Sequence, residues 1–215
     1  MAIAFIADNA TPTYATRTNT TITRPAGSDG TSLKIAMITT DSVAVTTNAN
    51  WTAFTNSPFT YSGAIRMWFY WTFHDAATWS FTHSSNGSNG YCAAFSGVDT
   101  TTPIDVQPVT NSGAASGTAV GSSITTITDN AMLFLLYADN EGGNSTSTPT
   151  GMTEAEDGAA DAKAFFYQLL GAAGSTGTRS STLGTTTNWG TAMGALRPTV
   201  AAVTFRGLTL VGAGV

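Results

Sequence analysis

The sequence predicts an all-β protein: a jelly-roll-like antiparallel β-sandwich, built from two repeated halves. Three observations predict it. Threonine fills 40 of 215 positions and glycine 22, while only 10% of residues are charged, against about 25% in an average soluble domain. Thr suits pleated strands, and Gly, Asn and Ser supply turns. Long Ala/Glu/Lys/Leu runs that would make amphipathic helices are missing. Second, apolar residues alternate with period two. In "RMWFYWTF", Met67, Phe69, Trp71 and Phe73 form one set, and Arg66, Trp68, Tyr70 and Thr72 the other. Third, four segments recur in order at a spacing of roughly 100 residues, which indicates duplication.

The repeat defines the elements. "GTSLKIAMIT" (30–39) resembles "DNAMLFLLYAD" (129–139), an apolar strand in each half. "NANWTAF" (48–54) resembles "TPTGMTEA" (148–155), a loop ending in Trp or Met. "AIRMWFYWTF" (64–73) resembles "DAKAFFYQLL" (161–170), a strongly apolar strand. "WSFTHSSNGSNGYCAAFSGV" (79–98) resembles "STLGTTTNWGTAMGALRPT" (181–199), a polar strand leading into a Gly/Ala-rich one. The expected organisation is therefore an N-terminal arm (1–25), a first half (26–107), a low-complexity connector (108–128), a second half (129–199) and a C-terminal strand (200–215), in one domain. Turn signals every 8–12 residues fit a sandwich of antiparallel sheets.

Charge and cysteine content exclude several classes. The net charge is −5 and the 8 Lys and Arg residues are scattered, so a clustered basic face for nucleic acid is not expected. One cysteine, Cys92, cannot make an intrachain disulfide. The opening "MAIAFIADNATPTYA" lacks a basic region and a long apolar run, so no secretory signal is expected. No segment reaches the length of a membrane span.

The aromatic run is the sharpest feature. Trp68, Phe69, Tyr70, Trp71, Phe73 and Trp79 fall within twelve positions. The first alternating set reads as the core face of a strand. The second carries Trp68 and Tyr70 where a solvated face would carry Thr or Lys. Burying such a side chain is worth roughly 2–3 kcal/mol, so leaving two in water needs a reason. In the second half, Lys163, Phe165, Tyr167 and Leu169 lie opposite Ala164, Phe166, Gln168 and Leu170. Two such strands favour packing under an arm or another subunit over a sugar platform, because a ligand site would rarely be duplicated. The candidate interface or ligand-stacking residues are Trp51, Trp68, Tyr70, Trp79 and Trp189, with Phe205 and Leu208 on the C-terminal strand.

"AAFSGVDTTTPID", residues 93–105, resembles a motif of the form Ala-Tyr-Ser/Arg-Gly-Val-Asp-Thr-x-x-Pro-Ile-Asp. That motif occurs in a family of β-sandwich proteins common in tailed-phage genomes and in some bacterial surface proteins. "GSDGTSL", "NANWTAF" and "ATWSFTHSS" accompany it here, and "ITDNAMLFLLYAD", "PTGMTEAEDG" and "NWGTAMGALRPT" follow in the second half. The resemblance covers roughly residues 25–199. The first Trp-Thr loop lacks the usual Pro-x-Gly, and the aromatic strand has Tyr70-Trp71-Thr72 where Tyr-Trp-Lys is common. What the resemblance implies is a non-enzymatic virion or surface component. On physical grounds the motif reads as a corner: Gly97 permits a bend, Asp99 sets up an Asx turn over the following threonines, and Pro103 interrupts the strand.

Catalytic signatures are missing: no Gly-x-Ser-x-Gly elbow, no P-loop and no Gly-x-Gly-x-x-Gly. His74, His83 and Cys92 recur every nine residues with Asp75 beside the first, but structural zinc sites use tight Cys/His pairs. Glu154, Glu156, Asp157 and Asp161 could offer oxygen ligands, yet their spacing is not an EF-hand loop and Asp157-Gly158 is a turn signal. The loop "ADNEGGN" (138–144) reads likewise. No cofactor, metal or enzyme activity is expected.

The expectation is thus a phage virion protein on the particle exterior, a capsid decoration protein or a tail or neck appendage. It would be assembled in the bacterial cytoplasm and would act by self-association, as a trimer, and by docking to other virion proteins. The alternative is a carbohydrate-binding adhesion module for host glycans, using the tryptophans and Tyr70. It requires exposed rings, whereas assembly requires dry ones.

Overall fold

The computed structural model describes residues 2–10, 14–62, 65–140, 146–158 and 163–200. These are all-β, with no helix among the described residues. The first half supplies β1 (Ala4–Ala10), β2 (Ala15–Thr23), β3 (Leu33–Asp41), β4 (Val45–Thr46), β5 (Thr52–Ala53), β6 (Phe59–Thr60), β7 (Ile65–Thr72) and β8 (Thr78–Ser96). The second supplies β9 (Ile104–Gly121), β10 (Thr125–Thr126), β11 (Met132–Asp139), β12 (Thr153–Gly158), β13 (Lys163–Leu169), β14 (Gly174–Ser175) and β15 (Arg179–Leu196). All pairings are antiparallel.

Each half makes its own sheet. One runs β1-β8-β3-β7-β5, with β2 and β4 also on β8 and β6 on β7; the other runs β12-β13-β11-β15-β9. From the centre outward the orders coincide: β3 and β11 are flanked by the long strands β8 and β15 on one side and by β7 and β13 on the other. The sheets stack face to face over one core. Tyr91 stacks on Phe165 at 5.2 Å, Phe5 on Tyr167 at 4.6 Å, and Phe54 meets Phe134 at 5.5 Å. Met67 and Phe69 face this core, with Trp71 and Phe73 packed at its edge, so the alternation identified the inner face correctly.

The central strands β3 and β11 are buried along almost their whole length. Their outward-facing residues therefore need a second cover, and the long strands provide it. In β8, residues 78–84 alternate exposed and buried, while from Gly87 to Phe95 everything is buried on both sides. The inner portion sits within the sheet. The outer portion, paired with β2, folds over the sheet's outer face. Ile22, Trp79 and Phe81 thereby join Ala36, Ile38, Trp68, Tyr70 and Cys92 in one apolar cluster, with Phe81 stacked on Tyr70 at 5.3 Å.

The second half repeats the manoeuvre. Asn111 and Val120 are nine residues apart in β9, roughly 30 Å along a straight strand. Yet the Thr191 hydroxyl reaches both of their carbonyls, at 3.4 and 3.0 Å, and Asn111 Nδ2 donates to the Val120 carbonyl at 2.9 Å. The β9–β15 ribbon must double back. Register breaks between Thr182, Thr187 and Trp189 mark the bend, as one between Arg17 and Asn19 does in the first half. The returning ribbon puts Ala119 and Leu183 over Leu133, Leu135 and Phe166. Trp51 and Met152 complete the two outer clusters from equivalent turns, their amides donating to Asn48 and Pro149 carbonyls.

Four expectations change. A jelly roll passes consecutive strands between its two sheets, but here residues 4–96 form one sheet and 104–196 the other. Residues 108–128 are no connector: 108–121 belong to β9 and Thr125–Thr126 is β10. Their Ser/Gly/Ala content reflects a bent ribbon with small residues at close contacts, such as Gly113, where an added Cβ would lie 2.6 Å from the Trp189 ring. The N-terminal segment is likewise no separate arm, since β1 and β2 both pair with β8. Phe69 also corresponds by register to Phe165, one position from the match in the sequence, because Ile35 pairs Trp71 and Phe134 pairs Tyr167.

If the ribbon is held by its apolar face, Phe81→Ala should destabilise the protein by about 3–5 kcal/mol. The exposed neighbour change Thr82→Ala should stay within about 0.5 kcal/mol. Urea unfolding monitored by tryptophan emission measures both, and equal midpoints would refute the packing role.

Candidate functional site

All five predicted rings in the described residues are buried by the chain itself: Tyr70, Trp79, Trp51, Trp189 and Trp68 are 1%, 2%, 4%, 4% and 9% exposed. Trp51 and Trp79 meet edge to face at 5.1 Å, and the Trp68 indole donates to Thr40 Oγ1 at 3.1 Å. No ring face is left for a sugar or a second subunit, which corrects their assignment as interface or stacking residues. The reason is the folded-back ribbon, which period-two alternation cannot reveal. Phe205 and Leu208 lie outside the described residues.

The predicted corner is present and does more than turn. Gly97 has φ +72°, and an added Cβ would stand 2.5 Å from the Ala2 carbonyl. Asp99 Oδ1 accepts the amides of Thr101 and Thr102 at 2.8 and 2.9 Å, which holds its carboxyl below the usual range. The ends of the two long strands then pair: Val98 bridges Pro198, the Asp99 amide donates to the Arg197 carbonyl, and the Thr199 amide donates to the Gly97 carbonyl. The Arg197 amide donates to the Pro103 carbonyl at 2.8 Å.

Asp105, the last residue of the motif, is buried at this junction. Its carboxylate accepts the Ile127 amide at 2.8 Å and the Thr128 hydroxyl at 2.5 Å, and lies 3.5 Å from Arg197 Nε. Asp105 and Arg197 were not singled out by the sequence reading. The signal was an acid next to a strand start, with an arginine, Arg197, in the "ALRPT" that ends the second half.

His83 and Cys92 are both buried. His83 Nε2 lies 3.1 Å from Thr20 Oγ1 and Nδ1 2.9 Å from the Ser84 carbonyl, while Thr20 also donates to Ser88 Oγ at 2.8 Å. Cys92 is fully buried in the outer cluster, and burial pushes its thiol far up. His74 stands in the turn after β7, beside Asp75, which pairs with Arg24. No group of three His, Cys, Asp or Glu that could hold a metal occurs among the described residues. Glu154 accepts the Thr148 hydroxyl, Glu156 is 3.9 Å from the buried Lys163, and Asp157 accepts the Thr146 amide. Asp161 and residues 141–145 lie outside the described residues.

What stays available is strand edge. β12 carries Glu154, Glu156 and Asp157, β2 carries Arg17, and β5 and β6 are two residues each. Such charges and short lengths discourage edge pairing. β9 differs. It is 18 residues long, ends its sheet, exposes Val109 at 41%, and has Asp105 as its sole ionisable residue, itself buried. Near the start of β9 the chain passes Thr199 to reach exposed Val200, beside a shallow 360 Å³ cavity lined by Ala2, Thr128, Asn130 and Pro198.

The turn before β3 gives a pH-dependent test. Asp29 Oδ1 accepts the Thr31 and Ser32 amides at 2.9 and 3.0 Å and both hydroxyls, and these bonds hold its carboxyl at about 2, below the ordinary 3.8. Because the folded value is depressed, this stabilisation is complete above the ordinary value and is lost as pH falls towards about 2. Asp29→Asn should therefore flatten the acid limb of stability in that window; an unchanged slope would show that the turn contributes nothing. No family model, curated protein or solved structure matches the chain.

Proposed function

We propose that this chain is a structural protein of a tailed-phage virion, on the particle exterior as a decoration protein or a tail or neck appendage, acting by self-association. The observation that carries this reading is β9, an 18-residue strand that ends its sheet and exposes no ionisable side chain. An edge of that kind adds strands from other chains. Residues 200–215, "VAAVTFRGLTLVGAGV", are a suitable donor in composition, with Val203, Phe205, Leu208 and Leu210 among them. The resemblance of "SGVDTTTPID" supports the virion assignment. The buried tryptophans remove the carriers of the carbohydrate-binding alternative.

Light scattering on the full-length chain and on a version ending at Thr199 tests the proposal. The expected result is a trimer that falls to monomer on truncation. Val109→Lys, at an exposed β9 position, should shift the equilibrium the same way without unfolding the monomer. A full-length chain that stays monomeric at high concentration would overturn self-association.

A further inference from the structure

Asn-Gly occurs twice within β8, at Asn86-Gly87 and at Asn89-Gly90, and the fold treats the two pairs differently. We propose that Asn86-Gly87 is a self-modification site, at which the side-chain amide is lost through a cyclic imide while Asn89-Gly90 is protected. The proposal is independent of the virion reading.

The geometry at Asn86 favours ring closure. The Gly87 amide nitrogen lies 2.6 Å from Asn86 Oδ1, which places it beside the carbonyl carbon Cγ that bears this oxygen. Asn86 Nδ2 donates to the Asp41 carbonyl at 2.6 Å, so the side chain is held in the rotation that keeps Cγ next to the backbone. Gly87 offers no Cβ to obstruct the approach. A Cβ there would stand 2.0 Å from the Tyr14 hydroxyl, which donates to Asp41. Asn86 and Gly87 sit at the edge of the bend, paired with Arg17 and Thr16 of β2. Pairing with β3 ends at Thr40–Ser88, and the β2 register breaks between Arg17, opposite Asn86, and Asn19. Asn86 is half-buried, within reach of water.

The chemistry balances with water as the one co-reactant. The Gly87 nitrogen loses its proton and attacks Asn86 Cγ. The N–Cγ bond forms, the Cγ–Nδ2 bond breaks, and Nδ2 leaves as ammonia. Water then opens the five-membered imide at either carbonyl, giving aspartate or isoaspartate. Nothing is oxidised or reduced.

At Asn89 the same dipeptide is restrained. Asn89 is fully buried, its Oδ1 accepts the Thr39 hydroxyl, and Asn89 and Gly90 both sit in the β3 ladder opposite Thr39 and Ile38. Folding the peptide into an imide there requires breaking the central sheet, whereas at Asn86 it requires opening only the end of the β2 pairing beside the bend. The product matters to the fold. A new carboxylate replaces the amide that donated to the Asp41 carbonyl, next to the Asp41 carboxylate. An isoaspartate also lengthens the main chain where the ribbon turns over Trp68 and Tyr70. The modification is thus a slow, one-way loosening of the outer layer of the first sheet.

Peptide mapping by mass spectrometry, with isoaspartate detection, tests this on the full chain held in mildly alkaline buffer. Folded, Asn86 should convert at least about tenfold faster than Asn89, a barrier difference of about 1.4 kcal/mol. In urea the two should convert at similar rates. Equal rates in the folded protein would overturn the proposal, and so would the same preference persisting in urea, since local sequence rather than the fold would then decide. Asn86→Gln, which would need a six-membered ring, should abolish conversion at 86, and Asn86→Asp should melt below the unmodified chain; an unchanged melting temperature would refute the loosening.

Discussion

A strand that is apolar on both faces must be covered twice, and most of this structure follows from that constraint. β3, β7, β11 and β13 carry apolar residues towards the partner sheet and away from it. An ordinary two-layer sandwich covers one face and leaves the other to water. Here the strands β8, β9 and β15, with β2, are long enough to serve in their sheet and then bend back over it. The result is four layers from one chain: ribbon, sheet, sheet, ribbon. Small residues and register breaks at the bends let the ribbon turn without a separate element.

The two sheets are tied at the point where their long strands end. There the polar junction around Asp99, Asp105, Arg197 and Pro198 replaces the apolar contact that holds the layers elsewhere. Asp105 could not be buried alone. Its carboxylate is satisfied by a backbone amide, a threonine hydroxyl and a guanidinium, all from the second half of the chain. The stretch from Gly97 to Asp105 is therefore both the link between the halves and a clamp on the C-terminal end of β15.

Spending the aromatic residues inside the chain leaves a surface of Thr, Ser, Asn and Gly with few charges. Main-chain edges then become its most reactive feature. The acidic β12 and the very short β5 and β6 resist pairing, and β9 does not. The two Asn-Gly pairs of β8 likewise sit in different surroundings, one half-buried at the bend and one fully buried in the sheet.

The sequence by itself determined the class of structure, the antiparallel sandwich, the inner face of the first aromatic strand and the corner. Each depends on local chemistry: period-two alternation around Phe69, the φ freedom of Gly97, and the Asx geometry of Asp99. Composition already implied that Trp68 and Tyr70 would be covered. Only the tertiary structure decided by what. Alternation in "ATWSFTHSS" reads as a half-buried strand whether its apolar side faces a partner sheet or folds back on its own, and Ser/Gly/Ala-rich residues 108–121 carry almost no periodic signal. The bend joins residues such as Asn111, Val120 and Thr191 through contacts between distant parts of the chain, and such contacts are fixed only when the whole fold closes.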